Sequence, residues 1–221
     1  TASNNTAVGY SSLGANTTGG SNVAVGESAL SSNTSGHSNV AIGREALEKA
    51  TTATNNTAVG HHALEENTNG QKNTAIGSLA LDGNTTGDEN TAVGYFTLSA
   101  SVTGSSNIAV GVEALRRHTT GAGNVAVGAF ALDHNTTATD NVAVGRQALT
   151  NNTTGDNNIG VGRNALSNNT TGTANVAVGY RNLQTSTTAS NNTAVGYEAL
   201  KGNTTGTRNV AVGAYALDAN T

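Results

Sequence analysis

The chain has 221 residues and a net charge of −4, and Lys and Arg together account for only 10 residues. These cations occupy changing places along the sequence, so no basic stripe follows a phosphate backbone, and we predict no nucleic-acid partner. No apolar run approaches the roughly 18 residues of a membrane span, which predicts no membrane insertion. Large apolar residues are also too sparse and too evenly spread for one ordinary globular core.

An Asn recurs every 17 residues along the whole chain, without insertion or deletion. Thirteen such periods account for all 221 residues, which predicts a single continuous repeat domain over residues 1–221. Because the sequence lacks an initiating Met and has no atypical end repeats, we expect this domain to be a segment of a longer protein. The recurring residues are Asn5, Asn22, Asn39, Asn56, Asn73, Asn90, Asn107, Asn124, Asn141, Asn158, Asn175, Asn192 and Asn209.

The first half of each repeat predicts a short strand and a bend. We number the repeat positions from 1 at the Asn to 17. Val, Ile or Thr at position 2, Ala at position 3 (Gly160 in one repeat) and Val or Ile at position 4 alternate with period 2. This pattern predicts a strand with both branched side chains on one face, which we expect to be buried. The Gly at position 5 predicts a bend that needs either a positive φ or a close approach of the backbone.

The second half of each repeat predicts another short strand and a turn. Positions 6 and 7 vary, and mostly Ala at position 8 then precedes a Leu at position 9 in every repeat. We expect Ala-Leu to form a second extended stretch with the Leu pointing into the coil. Asn-Thr-Thr-Gly at positions 12 to 15 predicts a turn in which the Gly takes the left-handed conformation. A helix fits poorly, because each repeat carries several helix-breaking residues.

These elements predict an all-β fold, a parallel β-solenoid or β-roll of thirteen 17-residue coils, each with two short strands and two turns. The coils should stack at about 4.8 Å, so that the recurring Asn residues form a ladder in which each amide bonds the next. Apolar burial and ladder hydrogen bonds within one coil together only nearly offset the cost of ordering it, so we expect a homo-oligomer that also buries the Ala faces. The alternative is a two-sided solenoid whose Val and Leu meet within one chain.

The run Asn-Val-Ala-Ile-Gly at Asn39 to Gly43, with variants at Asn22 to Gly26 and Asn209 to Gly213, resembles the head repeats of YadA-like trimeric autotransporter adhesins. The longer form at Asn141 to Gly155 is similar to repeats of phage tail-fibre and other surface-fibre proteins. The resemblance implies a left-handed β-roll, self-association as a trimer or filament, and an extracellular, cell-surface or virion location. It implies a rigid shaft or head of a fibre that can bind a host-surface glycan or protein. The period here is longer than that of the adhesin heads, and their anchor, stalk and neck segments are lacking.

The variable positions 6 and 7 hold every aromatic side chain of the repeats, and exposed aromatic residues suit recognition of a glycan or a protein. A solvated edge with incidental aromatics is the alternative interpretation. The candidate surface contacts are Tyr10, Tyr95, Phe96, Phe130, Tyr180, Tyr197 and Tyr215.

No pattern in the sequence indicates catalysis, so we predict that the protein is not an enzyme and has no cofactor. We predict no metal site either, because His61 and His62 form the only His pair and adjacent rings at a turn are expected to point apart. A column of Thr at position 13, with Thr frequent at position 14, suggests an ice-binding solenoid as the alternative function. Ice binding is second, because the two Thr residues are adjacent in a turn rather than separated by one inward residue.

Overall fold

The computed structural model describes residues 2–100 and 102–220. These residues form an all-β parallel solenoid with thirteen strands of three residues each and no helix. The chain divides into two compact units, Thr1–Asn107 and Ile108–Thr221, and each unit is described by itself. Within the described part of the chain, no segment forms a helix of the length and hydrophobicity needed to cross a membrane.

The strands of each unit occur once per repeat and pair in parallel with the strand of the next repeat. In the first unit, Ala24 pairs with Ala41, and in the second unit Ala126 pairs with Ala143, so the register shift is one 17-residue period. The first unit contains β1 Thr6–Val8, β2 Val23–Val25, β3 Val40–Ile42, β4 Thr57–Val59, β5 Thr74–Ile76 and β6 Thr91–Val93. The second contains β7 Ile108–Val110, β8 Val125–Val127, β9 Val142–Val144, β10 Ile159–Val161, β11 Val176–Val178, β12 Thr193–Val195 and β13 Val210–Val212. The predicted parallel β-solenoid is thus confirmed, whereas its left-handedness and its oligomeric state stay predictions.

The predicted second strand at Ala-Leu is wrong. These residues lie in a turn, and every Leu at position 9 has a left-handed φ between 49° and 56°. In the second unit, the N–H of Gln147 donates to Ala129 in the preceding coil, and the N–H of Leu149 donates to Ala165 in the following coil. Left-handed residues at positions 7 and 9 therefore turn the chain tightly while keeping its amides bonded along the stack. Complete burial of Leu149 offsets the roughly 1–2 kcal/mol cost of that conformation.

The predicted burial of the branched face of the strand is also wrong. Ala143 at position 3 is fully buried, whereas its neighbour Val144 is 36% exposed. The interior of so short a coil is already filled by Leu and by Asn side chains, which leaves room only for a methyl group on the strand. In the interior coils that the structure describes, Leu and the Ala faces thus lie inside, whereas Val at position 4 lies on the outer side of the strand.

Glycine serves two different purposes in the coil. The Gly at position 5 has φ between 125° and 142° in every repeat, which confirms a positive φ, the first of the two predicted requirements. The Gly at position 15 does not take the left-handed conformation, which belongs instead to position 17, as at Asn157 with φ 58°. A Cβ on Gly155 would lie 2.2 Å from the carbonyl oxygen of Gly172, so position 15 requires a small residue for close packing. Ala138, buried at the same position, shows that a coil can accommodate a methyl group there.

Candidate functional surfaces

The recurring Asn at position 1 forms a buried ladder inside each unit. Asn158 is fully buried, and its backbone N–H donates to Oδ1 of Asn141 at 2.9 Å. Its own Oδ1 accepts from the backbone N–H and the side-chain amide of Asn175, both at 3.1 Å. Its Nδ2 donates to the carbonyl oxygen of Gly172 at 2.8 Å, which closes the coil. The side chain therefore has no contact with solvent and acts in folding rather than in ligand binding.

A second buried Asn column lies at position 12, where the sequence indicated only a turn residue. Asn169 donates from Nδ2 to Oδ1 of Asn152 at 2.8 Å and to the carbonyl oxygen of Gly172 at 3.0 Å. The same carbonyl accepts from Asn158, so the two columns meet at position 15. The recurrence of Asn at position 12 was the available signal, but recurrence alone does not distinguish a solvent-facing turn from a buried one.

The outer side of the strands, at positions 2 and 4, presents two parallel columns of branched side chains. We call this surface the strand face. In the first unit, Ile42 and Ile76 are 40% and 42% exposed, and in the second unit Val127, Val144 and Val178 are 36–37% exposed. Only Val, Ile and Thr occupy these two positions, although Glu, Arg and His occur at the neighbouring positions 6 and 7. The strand face is therefore uncharged, with an aliphatic column at position 4 and a column of Val, Ile and Thr at position 2.

The predicted aromatic contacts fall into separate groups. In the second unit, Tyr180 and Tyr197 stack with ring centroids 5.1 Å apart, and Tyr215 meets Tyr197 edge-on at 5.4 Å. The guanidinium carbon of Arg181 lies 4.8 Å from the centre of the Tyr180 ring. We call Tyr180, Tyr197 and Tyr215 the tyrosine cluster. Aromatic faces flanked by a guanidinium can stack on and hydrogen-bond to a polar ligand.

The remaining aromatic residues lie apart from the tyrosine cluster. Tyr95 and Phe96 stack on each other in the first unit at 5.9 Å, and Tyr10 is 79% exposed. Phe130 lines an open groove of about 390 Å³ in the second unit, which it shares mainly with amide and hydroxyl side chains such as Gln147 and Asn164. The structure thus gathers three of the seven predicted contact residues into one patch.

The Thr residues at position 13 use their hydroxyl groups within the solenoid. Oγ1 of Thr153 donates to the carbonyl oxygen of Thr170 at 2.9 Å, and Oγ1 of Thr170 donates to that of Thr187 at 3.0 Å. A hydroxyl has only one hydrogen to donate. The hydroxyl groups of this Thr column are therefore already engaged in hydrogen bonds between coils.

The structure brings one cluster of metal-ligating side chains together, although the sequence predicted none. Glu45, His62 and Glu65 in the first unit place one donor atom each within 4.8 Å of one another. The expectation that the rings of His61 and His62 point apart is wrong, because their centroids lie 3.8 Å apart in an edge-on contact. Only His62 belongs to the cluster. The cluster was not visible in the sequence because two of its members come from different repeats.

His118 replaces Asn at position 12 and is fully buried, with Nε2 2.8 Å from the carbonyl oxygen of Gly121. Burial lowers the pKa of this imidazole from its ordinary value of 6.5. The folded state therefore resists protonation, so the stability due to a neutral His118 is present above pH 6.5 and is lost as the pH falls through the lowered pKa.

We expect His118→Asn to reduce the loss of stability at acid pH, because Asn fits this position in other coils and carries no titrating group. Urea unfolding at pH 8 and at pH 5 measures this difference for both chains. The free energy of unfolding should fall less between the two pH values in the variant than in the parent chain. An equal fall in both would contradict a buried neutral imidazole.

No family model, curated protein or solved structure matches this chain.

Proposed function

We propose that this chain is a structural repeat segment of an extracellular or virion surface fibre, which assembles with copies of itself. The strand face carries this proposal. Position 4 holds Val or Ile in every repeat, as at Val144, and position 2 holds only Val, Ile or Thr. A sheet surface that faces water normally carries polar residues. An aliphatic surface repeated along each unit instead favours burial against another molecule.

A second copy of the chain is the partner that best fits the strand face. The face is uncharged, so a copy can meet it without placing like charges together. In a closed symmetric assembly of parallel chains, equal repeat positions lie at equal heights, so Val and Ile columns of one copy meet those of the next. A trimer is favoured by the resemblance of the repeat to adhesin heads. Such an assembly would serve as a rigid shaft or head that acts through its length rather than by turnover.

Adhesion is a second role that the outer surface of such a fibre supports. The tyrosine cluster lies at positions 6 and 7, outside the strand face at positions 2 and 4, and we expect assembly through that face to leave the aromatic rings accessible. Tyr197 and Tyr215 are 44% and 56% exposed. Together with Arg181, they offer stacking surfaces and hydrogen-bond donors suited to a glycan or a polar protein surface.

Adding charge to the strand face tests the assembly proposal. The triple variant Val127→Lys, Val144→Lys, Val178→Lys places three charges on outward-facing side chains of the second unit. We expect the parent chain to sediment as an oligomer in analytical ultracentrifugation and the variant to sediment as a monomer with an unchanged far-UV circular dichroism spectrum. Burying an unpaired Lys in an interface costs far more than leaving it in water, so the equilibrium should shift strongly towards monomer.

A matched control places the same three charges elsewhere on the same coils. Thr137, Thr154 and Thr188 are exposed residues at position 14 of these same three repeats. Their triple replacement by Lys should leave the oligomer intact, since position 14 lies away from the strand face. A parent chain that is a folded monomer at every concentration contradicts the proposal.

Ice binding through the Thr columns is the alternative function. It ranks second because Oγ1 of Thr153 and of Thr170 already donates to a carbonyl group of the next coil. A folded monomer that shows thermal hysteresis in the sedimentation experiment's buffer would favour it over a fibre segment.

A further inference from the structure

Three ionisable side chains from two successive coils of the first unit converge on one point. Nδ1 of His62 lies 3.1 Å from Oε2 of Glu45 and in closer contact with Oε2 of Glu65. The three side chains retain only 17–21% exposure, so they form a partly enclosed site rather than a set of solvated groups. We propose that Glu45, His62 and Glu65 bind a divalent metal ion of the zinc type. This proposal does not depend on the function of the fibre.

A neighbouring cation orients one of the two carboxylates. Nη2 of Arg44 lies 2.5 Å from Oε1 of Glu45 and leaves its Oε2 turned towards the imidazole. Nζ of Lys49 makes its close contact with Oε1 of Glu66 and lies 3.9 Å from Oε1 of Glu65, the oxygen that does not face the imidazole. Partners that orient a carboxylate ligand in this way are a regular part of protein metal sites.

The imidazole cannot satisfy both carboxylates by itself. Nδ1 of His62 carries at most one hydrogen, whereas two oxygens from two different carboxylates point at it. A cation bonded to Nδ1 and to both oxygens would satisfy all three atoms at once.

A related triangle in the second unit, whose central residue stands at position 10 rather than at position 7, shows how one cationic side chain satisfies two carboxylates. Its centre is Arg116: Nη1 lies 2.8 Å from Oε2 of Glu113, and Nε lies 2.9 Å from Oδ1 of Asp133. A guanidinium has five N–H groups and gives a separate donor to each carboxylate. His62 cannot supply a separate N–H group to each carboxylate, and in our proposal a metal ion bonds to both carboxylates instead.

The donor set indicates which metal ions fit. One imidazole nitrogen and two carboxylate oxygens suit Zn²⁺ and related first-row ions, whereas Ca²⁺ and Mg²⁺ prefer oxygen ligands alone. Bonds of about 2.0 Å in a tetrahedral zinc site place neighbouring donor atoms about 3.3 Å apart. The 3.1 Å separation between Nδ1 of His62 and Oε2 of Glu45 is close to this value. Water can supply a fourth ligand on the exposed side.

Isothermal titration of the untagged full chain with zinc chloride tests the proposal. We expect about one Zn²⁺ per chain and a rise in the thermal unfolding midpoint followed by circular dichroism, because an ion that binds only the folded state stabilises it. Calcium chloride should give neither signal. The variants His62→Gln and Glu65→Gln should each weaken zinc binding at least tenfold.

These variants are designed to fold, since Gln already occupies the same repeat positions at Gln147 and Gln184. Two controls remove the same residue types outside the cluster. Glu113→Gln alters the arginine-centred triangle, and His37→Gln removes an exposed His of the first unit; both should bind zinc as the parent chain does. The proposal is overturned if the parent chain takes up no zinc, if His62→Gln binds as tightly as the parent, or if the controls lose binding equally.

Discussion

We expect Gly145→Ala to lower the free energy of unfolding by about 3 kcal/mol or more. Gly145 has φ 129°, a conformation that side chains with a Cβ rarely adopt and that costs roughly 1–3 kcal/mol when forced. The added Cβ would also lie 2.7 Å from both the carbonyl carbon and the carbonyl oxygen of Gly162 in the next coil. Backbone atoms cannot turn aside as a side chain can, so the stack must deform, at a further cost of roughly 1–3 kcal/mol. Urea unfolding followed by circular dichroism measures the loss.

The same substitution at Gly160 provides a matched control in the same unit. Gly160 stands at position 3, where the other repeats carry Ala, and its φ is not positive. A Cβ there would meet Leu149 and the carbonyl oxygen of Ala165 at 3.3 Å, a tight approach that the Leu side chain can relieve. Gly160→Ala should change stability by less than about 1 kcal/mol. Equal losses in both variants would show that the bend at Gly145 is not the cause.

Asn158→Ala should destabilise the second unit by about 2–4 kcal/mol. The replacement removes the oxygen that accepts from the backbone N–H of Asn175 and leaves that buried donor without a partner, at a cost of about 1–3 kcal/mol. It also removes the amide that closes the coil onto the carbonyl oxygen of Gly172, and it leaves a small cavity. The carbonyl oxygen of Gly172 still accepts a hydrogen bond from Asn169, so it is not left without a partner, and this limits the loss of stability.

Hydrogen exchange locates this effect along the chain, and urea unfolding gives its size. Because each coil contacts only its neighbours, the amide of Asn175 and the adjacent coils should exchange faster than more distant ones. Asn168→Ala is the control, since Asn168 is an exposed Asn of the same unit. Its loss should stay below about 0.5 kcal/mol. A uniform increase in exchange throughout the unit would contradict a ladder that acts locally.

Several features of the fold follow from the repeat itself. A strict 17-residue period means that the same environment recurs in each coil, so Leu at position 9, the only large aliphatic residue between two variable pairs, has to lie inside. An invariant Gly directly after a strand indicates a backbone conformation that other residues avoid, and its φ of 125° to 142° agrees. Period-2 alternation identified the strand at positions 2 to 4. These are local properties, and the residues that express them are adjacent in the chain.

The face of the strand that lies inside depends on tertiary packing. Val-Ala-Val is symmetric, so alternation shows that two faces differ but gives no information on which one is buried. The width of the closed coil settles it, because Leu149, Asn141 and Asn152 lie buried inside this coil and the small Ala143 is the strand residue that lies there with them. The same closure requires Leu to adopt a left-handed φ, which its intrinsic preference disfavours.

Stacking also creates the groupings on which function depends. Tyr180 and Tyr197, like Glu45 and His62, are 17 residues apart in the chain and become neighbours only when coils stack in register. The period of the sequence established which residues share a column. The period did not show which side chains of adjacent columns touch or point outward. These directions followed from the left-handed turn at positions 7 to 9, because that turn sets how the side chains around it are directed.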